Sequence, residues 1–451
     1  MNRLRFIIVL IIIHNLVYAQ HNLEIIHYYE AVKIITSHSY NLRDTPVVAI
    51  IDNGVNLNQE DVVQGLWINK QEIAGNGIDD DTNGFIDDIY GWNFQNNTPD
   101  VGIGGVGNWH GTPINAIIGA EHDNGFGVNG ISPLVKLMNI VKGESIESII
   151  NSLHYVFMMR KLYNETNGRR GAYIVAVNCS WGKDSLWASD YPEWCSMYDS
   201  LGSVGVLSIH SVPNDNIDVD TYGDMPSTCD SDYLITVTNS NQFDEKVYDA
   251  GFGSNSVDIA APGDNTFTVL NTGECGYFSG TSAAAPYVTG LVALLYLLPS
   301  DDFQQYILQK PSHSALIVKS VIMNGATSVS HFKNSTVSGG RLHAFDSMKL
   351  LCDFFNQHDL YENLFDPTYC ISVYPNPARS HASLRIESDA DLFVSASIVD
   401  INGKSVSVQN AYIHEGIMSV PLDVSCLKSG IYSVQVYSPH ITNSIQLIIQ
   451  K

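Results

Sequence analysis

From about residue 23 to 350 the chain alternates short apolar runs of strand length with longer runs of helical period, and this alternation leaves few folds open. Val47–Ile51 is apolar throughout and stops at Asp52-Asn53-Gly54, the pattern of a strand buried on both faces that ends in a turn. The composition predicts further strands over Leu134–Val141, Tyr173–Val177, Val204–Ile209 and Leu234–Val237. Ser145 to about Asn164 carries apolar residues at Ile146, Ile149, Ile150, Leu153, Val156 and Phe157, which is helical spacing. Ala283–Leu298 and Ala315–Asn324 read as two more helices. Strands alternating with helices imply an α/β domain, a mostly parallel sheet flanked by helices. In such sheets functional groups gather at the carboxyl ends of the strands.

The pattern changes after about Leu351. Residues 353–370 have no clear period and read as a linker. Beyond them lie short strand-like runs, Ala382–Ile386, Leu392–Val399, Gly416–Pro421, Gly430–Tyr437 and Ser444–Ile449. Turn signals such as Pro375-Asn376-Pro377 and Asn402-Gly403 separate them, so 371–451 is expected to be a small all-β sandwich. At the other end, Arg3 and Arg5 precede the apolar Phe6–Ile13, and Val17-Tyr18-Ala19 places small residues before Gln20. Residues 1–19 therefore read as a secretory signal peptide, its apolar run too short for about 30 Å of hydrocarbon. That leaves 20–352 as the main domain, with no transmembrane anchor.

Asp and Glu total 47 against 23 Lys and Arg, a formal charge of −24. Such a chain is repelled by phosphate backbones, which argues against a nucleic-acid partner. The Cys and His residues have no zinc-finger spacing. Export permits disulfides. Cys195 and Cys229 lie in loop-like stretches and could bridge, Cys352 and Cys370 flank the linker and could also bridge, and Cys179, inside an apolar run, reads as a buried thiol. With seven cysteines at least one is unpaired within the chain.

Three short motifs carry chemistry. Asp52 follows the first strand, His110 opens His110-Gly111-Thr112, and Ser282 lies in Gly280-Thr281-Ser282-Ala283-Ala284-Ala285-Pro286 at a helix start. Taken singly they are a turn former, a loop histidine and an N-cap. Taken together they are a nucleophile, its base and the carboxylate that orients the base. The helix start gives Ser282 a positive local field, Gly280 permits a tight turn, and Pro286 is expected in the first turn, where a missing N–H costs little.

These residues resemble a subtilisin-type serine peptidase, whose chain order Asp, His, Ser is that of subtilisin itself. The likeness is carried by Ala49-Ile50-Ile51-Asp52-Asn53-Gly54-Val55, His110-Gly111-Thr112, and Gly280-Thr281-Ser282 with Ala284, Ala285 and Pro286. Asn129-Gly130-Ile131-Ser132-Pro133 and Ala260-Ala261-Pro262-Gly263 also fit, and the likeness covers about 300 residues. It implies a subtilisin-like fold with Ser282 as nucleophile, His110 as general base and then acid, and Asp52 as its orienting carboxylate. It also implies that Ser180-Trp181-Gly182 pairs with the backbone of a protein or peptide substrate and lines the first specificity pocket, although Trp181 equally suits a plain core residue.

Three departures stand out. In Ser208-Ile209-His210-Ser211-Val212-Pro213-Asn214, Asn214 aligns with the family's oxyanion donor, but Pro213 stands where the family has Gly, and Asn216 is its nearest rival. Ala283 stands where many relatives carry Met, which should lower sensitivity to peroxide. Only about 30 residues lie between Gln20 and Asp52, too few for a compact prodomain, so folding without a classical-sized N-terminal chaperone domain is expected.

Between the Asp and His motifs, Asp79, Asp81, Asn83 and Asp87 fall at positions 1, 3, 5 and 9 of a calcium loop. Gly84 supplies the turn and Phe85 a carbonyl, so a structural Ca²⁺ is expected there; Tyr90 rather than Glu at position 12 leaves the match incomplete. Residues 371–451 resemble a type IX secretion sorting domain through Val373-Tyr374-Pro375-Asn376-Pro377, Asp400-Ile401-Asn402-Gly403-Lys404, Leu427-Lys428-Ser429-Gly430-Ile431-Tyr432 and the final Lys451. That resemblance implies the type IX secretion machinery as partner and a secreted or cell-surface protein. The sequence thus reads as a secreted serine endopeptidase. The other reading is a catalytically weak surface-binding protein that keeps the fold, and its support is the altered run before Asn214.

Overall fold

The computed structural model describes residues 21–38, 42–102, 110–357, 359–362, 369–388, 392–400, 405–414, 416–437 and 442–451. The expected signal peptide and the Asn402-Gly403 turn lie outside them. Contacts divide the chain into two units after Gln357, a little beyond the expected limit of 352.

The first unit is organised by strands β1 (Val47–Asp52), β2 (Lys136–Val141), β3 (Ile174–Cys179), β4 (Leu207–Ser211), β5 (Leu234–Ser240), β6 (Ile259–Pro262), β7 (Thr327–Ser328) and β8 (Gly340–Arg341). They form one sheet in the order β7-β8-β6-β5-β4-β3-β1-β2. Every pairing is parallel except that of β7 with β8. β1 and β3 are buried along their whole length, which is why their sequences are unbroken apolar runs rather than alternating ones.

The principal helices are α1 (Tyr28–Thr36), α2 (Gly111–Gly119), α3 (Ile146–Thr166), α4 (Pro192–Ser203), α5 (Thr281–Leu295), α6 (Pro311–Asn324) and α7 (Ala344–Phe354). Ser145 caps α3 by accepting the Ser148 amide at 3.1 Å, and Ile149, Leu153 and Val156 are buried as their spacing predicts. Every residue of α5 is buried. A helix apolar on all sides belongs in the middle of a core, and α5 packs against α2, β3, β4 and β5.

Four of these helices, α1, α2, α4 and α7, were not expected. α4 has Pro192 at its first position and buries Trp194, Met197, Tyr198 and Leu201, a helical spacing interrupted by polar residues. α1 packs against α7, and the Ala344 amide donates to the Ile26 carbonyl at 2.6 Å. Val204, expected in a strand, instead caps α4. The disulfide between Cys195 and Cys229 is formed, across a separation of 34 residues. Cys179 is buried, as expected; the side chain of Cys370 lies outside the described residues.

The second unit is a two-sheet antiparallel sandwich. Its strands are β9 (Tyr369–Tyr374), β10 (Ala382–Ser388), β11 (Leu392–Val399), β12 (Ser405–Ile413), β13 (Gly416–Leu422), β14 (Gly430–Tyr437) and β15 (Thr442–Ile449). The sheets run β9-β10-β13 and β12-β11-β14-β15. Val373, Leu384, Ile386, Val394, Ile398, Val420, Val434 and Leu447 share its core. The unexpected β12 is an edge strand whose Val406, Val408 and Tyr412 are exposed, so its apolar residues do not mark a buried face.

Candidate active site

Asp52 ends β1 with 4 % of its surface exposed. Each of its carboxylate oxygens lies 3.0 Å from His110 Nδ1. Oδ1 also accepts the Asn53 amide at 2.8 Å. A carboxylate on Nδ1 fixes the proton there and leaves Nε2 as the basic nitrogen. His110 immediately precedes α2, and the next residue has to be small: a Cβ at Gly111 would collide with the Gly54 carbonyl oxygen. The sequence His110-Gly111 therefore lets the helix start approach the turn after β1. Burial disfavours the imidazolium, but the charge of Asp52 and its hydrogen bond outweigh that, and the His110 pKa is raised. Phe278 meets the imidazole edge-on, with 5.4 Å between ring centres.

Ser282 is the second residue of α5, whose packing partner α2 begins just after His110. Its Oγ donates to the Ser180 carbonyl at 3.0 Å. Ser180 Oγ donates back to the Ser282 carbonyl at 2.9 Å. Pro286 explains the second bond, and here the expected position is corrected. It lies inside α5, not in the first turn. A helical residue donates its N–H to the carbonyl four positions earlier, and proline has none, so the Ser282 carbonyl has no intrahelical donor. Ser180 supplies one from the neighbouring strand end. Ser180 Oγ accepts in turn from Asn178 Nδ2 at 3.0 Å, and Asn178 Oδ1 accepts from Thr289 Oγ1 at 2.8 Å. This chain of buried polar groups fastens Ser282 to β3.

Asn214 is exposed, and its Oδ1 accepts the Thr281 amide at 2.9 Å. With the oxygen fixed on the helix that carries Ser282, the amide nitrogen is the end left to donate. Pro213 keeps the segment in place through its carbonyl, which accepts the Gly251 amide at 2.9 Å. Asn216 Oδ1 instead takes Lys246 Nζ at 3.0 Å. Trp181 is half-buried; its Nε1 donates to the Ile51 carbonyl at 2.6 Å and its ring stacks on Trp194. His210 is fully buried beside Trp181 and Tyr198, and burial takes its pKa down to about 3, so it is neutral.

The acidic loop is arranged differently from an EF-hand. Asp87 accepts the amides of Gly75, Asn76 and Gly77, at 2.7, 3.2 and 3.0 Å. Asp79 accepts those of Asn83 and Gly84, at 3.0 and 2.9 Å. The Phe85 ring packs against Trp92, Phe94 and Tyr155. Of the expected ligands only Asp81 belongs to the set that converges, Glu72, Asp81 and Asp88, all buried, with one oxygen of each within 4.8 Å of the others. Burial pushes Asp88 up to about 7, against hydrogen bonds from Tyr155, Asn69 and Asn83. Glu72 and Asp88 were missed because they lie outside the one-loop spacing. Asp224, also missed, is a buried acid beside Gly182.

The model of the subtilase family matches residues 43–341, and that of the secretion system C-terminal sorting domain matches 372–450. The chain is similar to subtilisin-like protease 1 of Plasmodium berghei, 26 % identical over 349 residues, 71 % of this chain and 52 % of that protein. It is 24 % identical to the major intracellular serine protease of Bacillus subtilis, over 60 % of this chain and 74 % of that one. Among solved structures, a protease from Pseudoalteromonas arctica superposes with a TM-score of 0.51 at 19 % identity, over 70 % of this chain and 93 % of that one. This chain thus spans about half the length of the Plasmodium relative. Among the described residues no helix is long and apolar enough to cross a membrane.

Proposed function

Because this chain belongs to the subtilase family of serine peptidases, we propose that it is an exported endopeptidase that cleaves peptide bonds through an acyl-enzyme on Ser282. The observation that carries the reading is Asp52 on His110 Nδ1, with Ser282 at the start of the buried helix packed against the helix that follows His110. His110 Nε2 takes the Ser282 proton as Oγ adds to the scissile carbonyl carbon. It returns that proton to the leaving amine as the C–N bond breaks. Water, activated by the same nitrogen, then hydrolyses the ester. Asn214 Nδ2 and the helix start stabilise the oxyanion. To meet Nε2, the Ser282 hydroxyl turns from the Ser180 carbonyl, a rotation about one side-chain bond. Substrate pairs in extended form along Ser180-Trp181-Gly182.

The sorting domain marks the chain for secretion or attachment at the cell surface. Its partner in this reading is the type IX secretion machinery.

Ca²⁺ fits the acidic loop. Three buried carboxylates converge without a cation among the described residues, and a hard divalent ion takes oxygen ligands of this kind. Glu72, Asp81 and Asp88 would hold it and thereby fasten the loop. Chelation should lower the melting temperature and millimolar Ca²⁺ restore it; no calorimetric binding at millimolar Ca²⁺ would refute the assignment.

The function is tested on residues 20–451 beside Ser282→Ala, with a fluorophosphonate and casein in Ca²⁺ buffer. Labelling and cleavage by the first protein alone are expected. A folded protein that neither labels nor cleaves would overturn the peptidase reading in favour of a binding protein.

A further inference from the structure

We propose that Asp224 is a specificity-determining residue, a carboxylate beside the substrate-binding strand that selects a lysine or arginine side chain at the residue whose carbonyl is attacked. The proposal rests on the serine-peptidase reading above and names the substrate class of that same site.

Asp224 is buried, with 0 % of its surface exposed. Its Oδ2 accepts a short hydrogen bond from Ser227 Oγ. Its Oδ1 has no hydrogen-bond partner among the described residues. Asp224 and Met225 pair antiparallel with Asp184 and Lys183, so they run beside the continuation of Ser180-Trp181-Gly182. The contact falls at Gly182, which is exposed. A Cβ on Gly182 would stand 3.1 Å from Asp224 Oδ1 and 3.0 Å from the Met225 carbonyl oxygen. Beside this carboxylate the segment is therefore bare backbone, and a residue with a side chain would crowd it. Two residues earlier in the same segment, the Ser180 carbonyl holds the Ser282 hydroxyl. Two residues of extended chain span about 7 Å. That interval suits a long side chain reaching from the attacked residue to the acid.

The charge balance points to a cation. An unpaired buried carboxylate is expensive to keep ionised and is retained where a partner arrives. Among the described residues no ion pair reaches Asp224: Lys183 Nζ lies 3.9 Å from Glu144, and Asp184, the acid that pairs with Asp224 across the strands, opposes ionisation. Burial first, then the charge of Asp184, push the Asp224 carboxyl up to about 7, against the hydrogen bonds from Ser227. A bound ammonium or guanidinium would reverse that. The other polar atom at the contact, the Met225 carbonyl, is an acceptor too, so both polar atoms beside Gly182 suit a group that has only donors. An apolar side chain would leave Oδ1 unsatisfied, and sites built this way reject the analogue that lacks the matching group. The Cys195–Cys229 bridge anchors the segment to α4 just beyond Ser227.

The test uses residues 20–451 and four fluorogenic peptides identical except for Lys, Arg, Leu or Phe at the attacked residue. The expected kcat/KM for Lys and Arg is at least about 10²-fold above that for Leu, and Asp224→Asn removes most of that ratio. Equal or better cleavage after Leu or Phe by the unaltered protein overturns the proposal, as does an unchanged ratio in Asp224→Asn. Gly182→Ala is a second variant in case Asp224→Asn fails to fold; its methyl group crowds the carboxylate and should lower the ratio as well. Binding of p-aminobenzamidine, followed by its fluorescence, gives a readout free of catalysis. Saturable binding to the unaltered protein and to Ser282→Ala, lost in Asp224→Asn, supports the subsite; no saturable binding overturns it. Failure of the fluorophosphonate to label the unaltered protein would refute the peptidase reading alone, and the amidine titration would still decide on Asp224.

Discussion

The exchange between Ser180 and Pro286 can be measured as a coupling free energy. Pro286 deprives the Ser282 carbonyl of its helical donor, and Ser180 Oγ replaces it at 2.9 Å. Ser180→Ala leaves two buried groups without partners, that carbonyl and Asn178 Nδ2, which donates to the same hydroxyl at 3.0 Å. A buried polar group left unsatisfied costs about 1–3 kcal/mol, so the substitution should cost roughly 2–6 kcal/mol. Pro286→Ala returns an amide four residues after Ser282, where the helix itself satisfies the carbonyl. Ser180→Ala should then cost less by about 1–3 kcal/mol, and the Asn178 share should persist. The assay is urea denaturation of the four proteins of the cycle in a Ser282→Ala background, which prevents self-digestion and keeps the Ser282 backbone carbonyl. A coupling below about 0.5 kcal/mol, the range of independent sites, would refute the account.

Three further outcomes are expected. Asn214→Ala should lower kcat about 10²–10³-fold, the loss known from subtilisin itself, with little change in KM; the same loss in Asn216→Ala instead would move the donor there. Because Asp52 raises the His110 pKa, the acid limb of kcat/KM should lie above about 6.5, and Asp52→Asn should move it down. The same shift makes the pair stabilising below the unfolded imidazole pKa, a contribution lost as pH rises through the folded value, and a pH series of denaturation midpoints reads it. Replacing Cys195 and Cys229 together by Ser should cost about 3–4 kcal/mol for a closed loop of 34 residues, and an unchanged melting temperature would contradict it.

The candidate triad could be picked out because two of its members stand at sequence boundaries, a strand end for Asp52 and a helix start for Ser282, whereas the helix that begins after His110 emerged only with the structure. Local rules mark such boundaries. Asn214 was a candidate by likeness despite Pro213, and it is Thr281, not the residue before Asn214, that holds its side chain. What stayed hidden was assembled across the chain. Glu72 and Asp88 join Asp81 through folding rather than spacing, and Asp224 lies beside Gly182 only because two short strands pair. Pro286 looked like a first-turn proline because the donor that offsets it lies 102 residues away, in Ser180. α1 escaped for a related reason: its helix is held by α7, more than 300 residues further along.

That last contact also determines how the first unit bears tension. The second unit follows α7 along the chain, so a pull on it enters the first unit at α7. There α7 lies against α1, and the Arg341 guanidinium grips the Ile25 carbonyl at 2.6 Å. A force arriving there is carried by the packing of α7 on both α1 and α6.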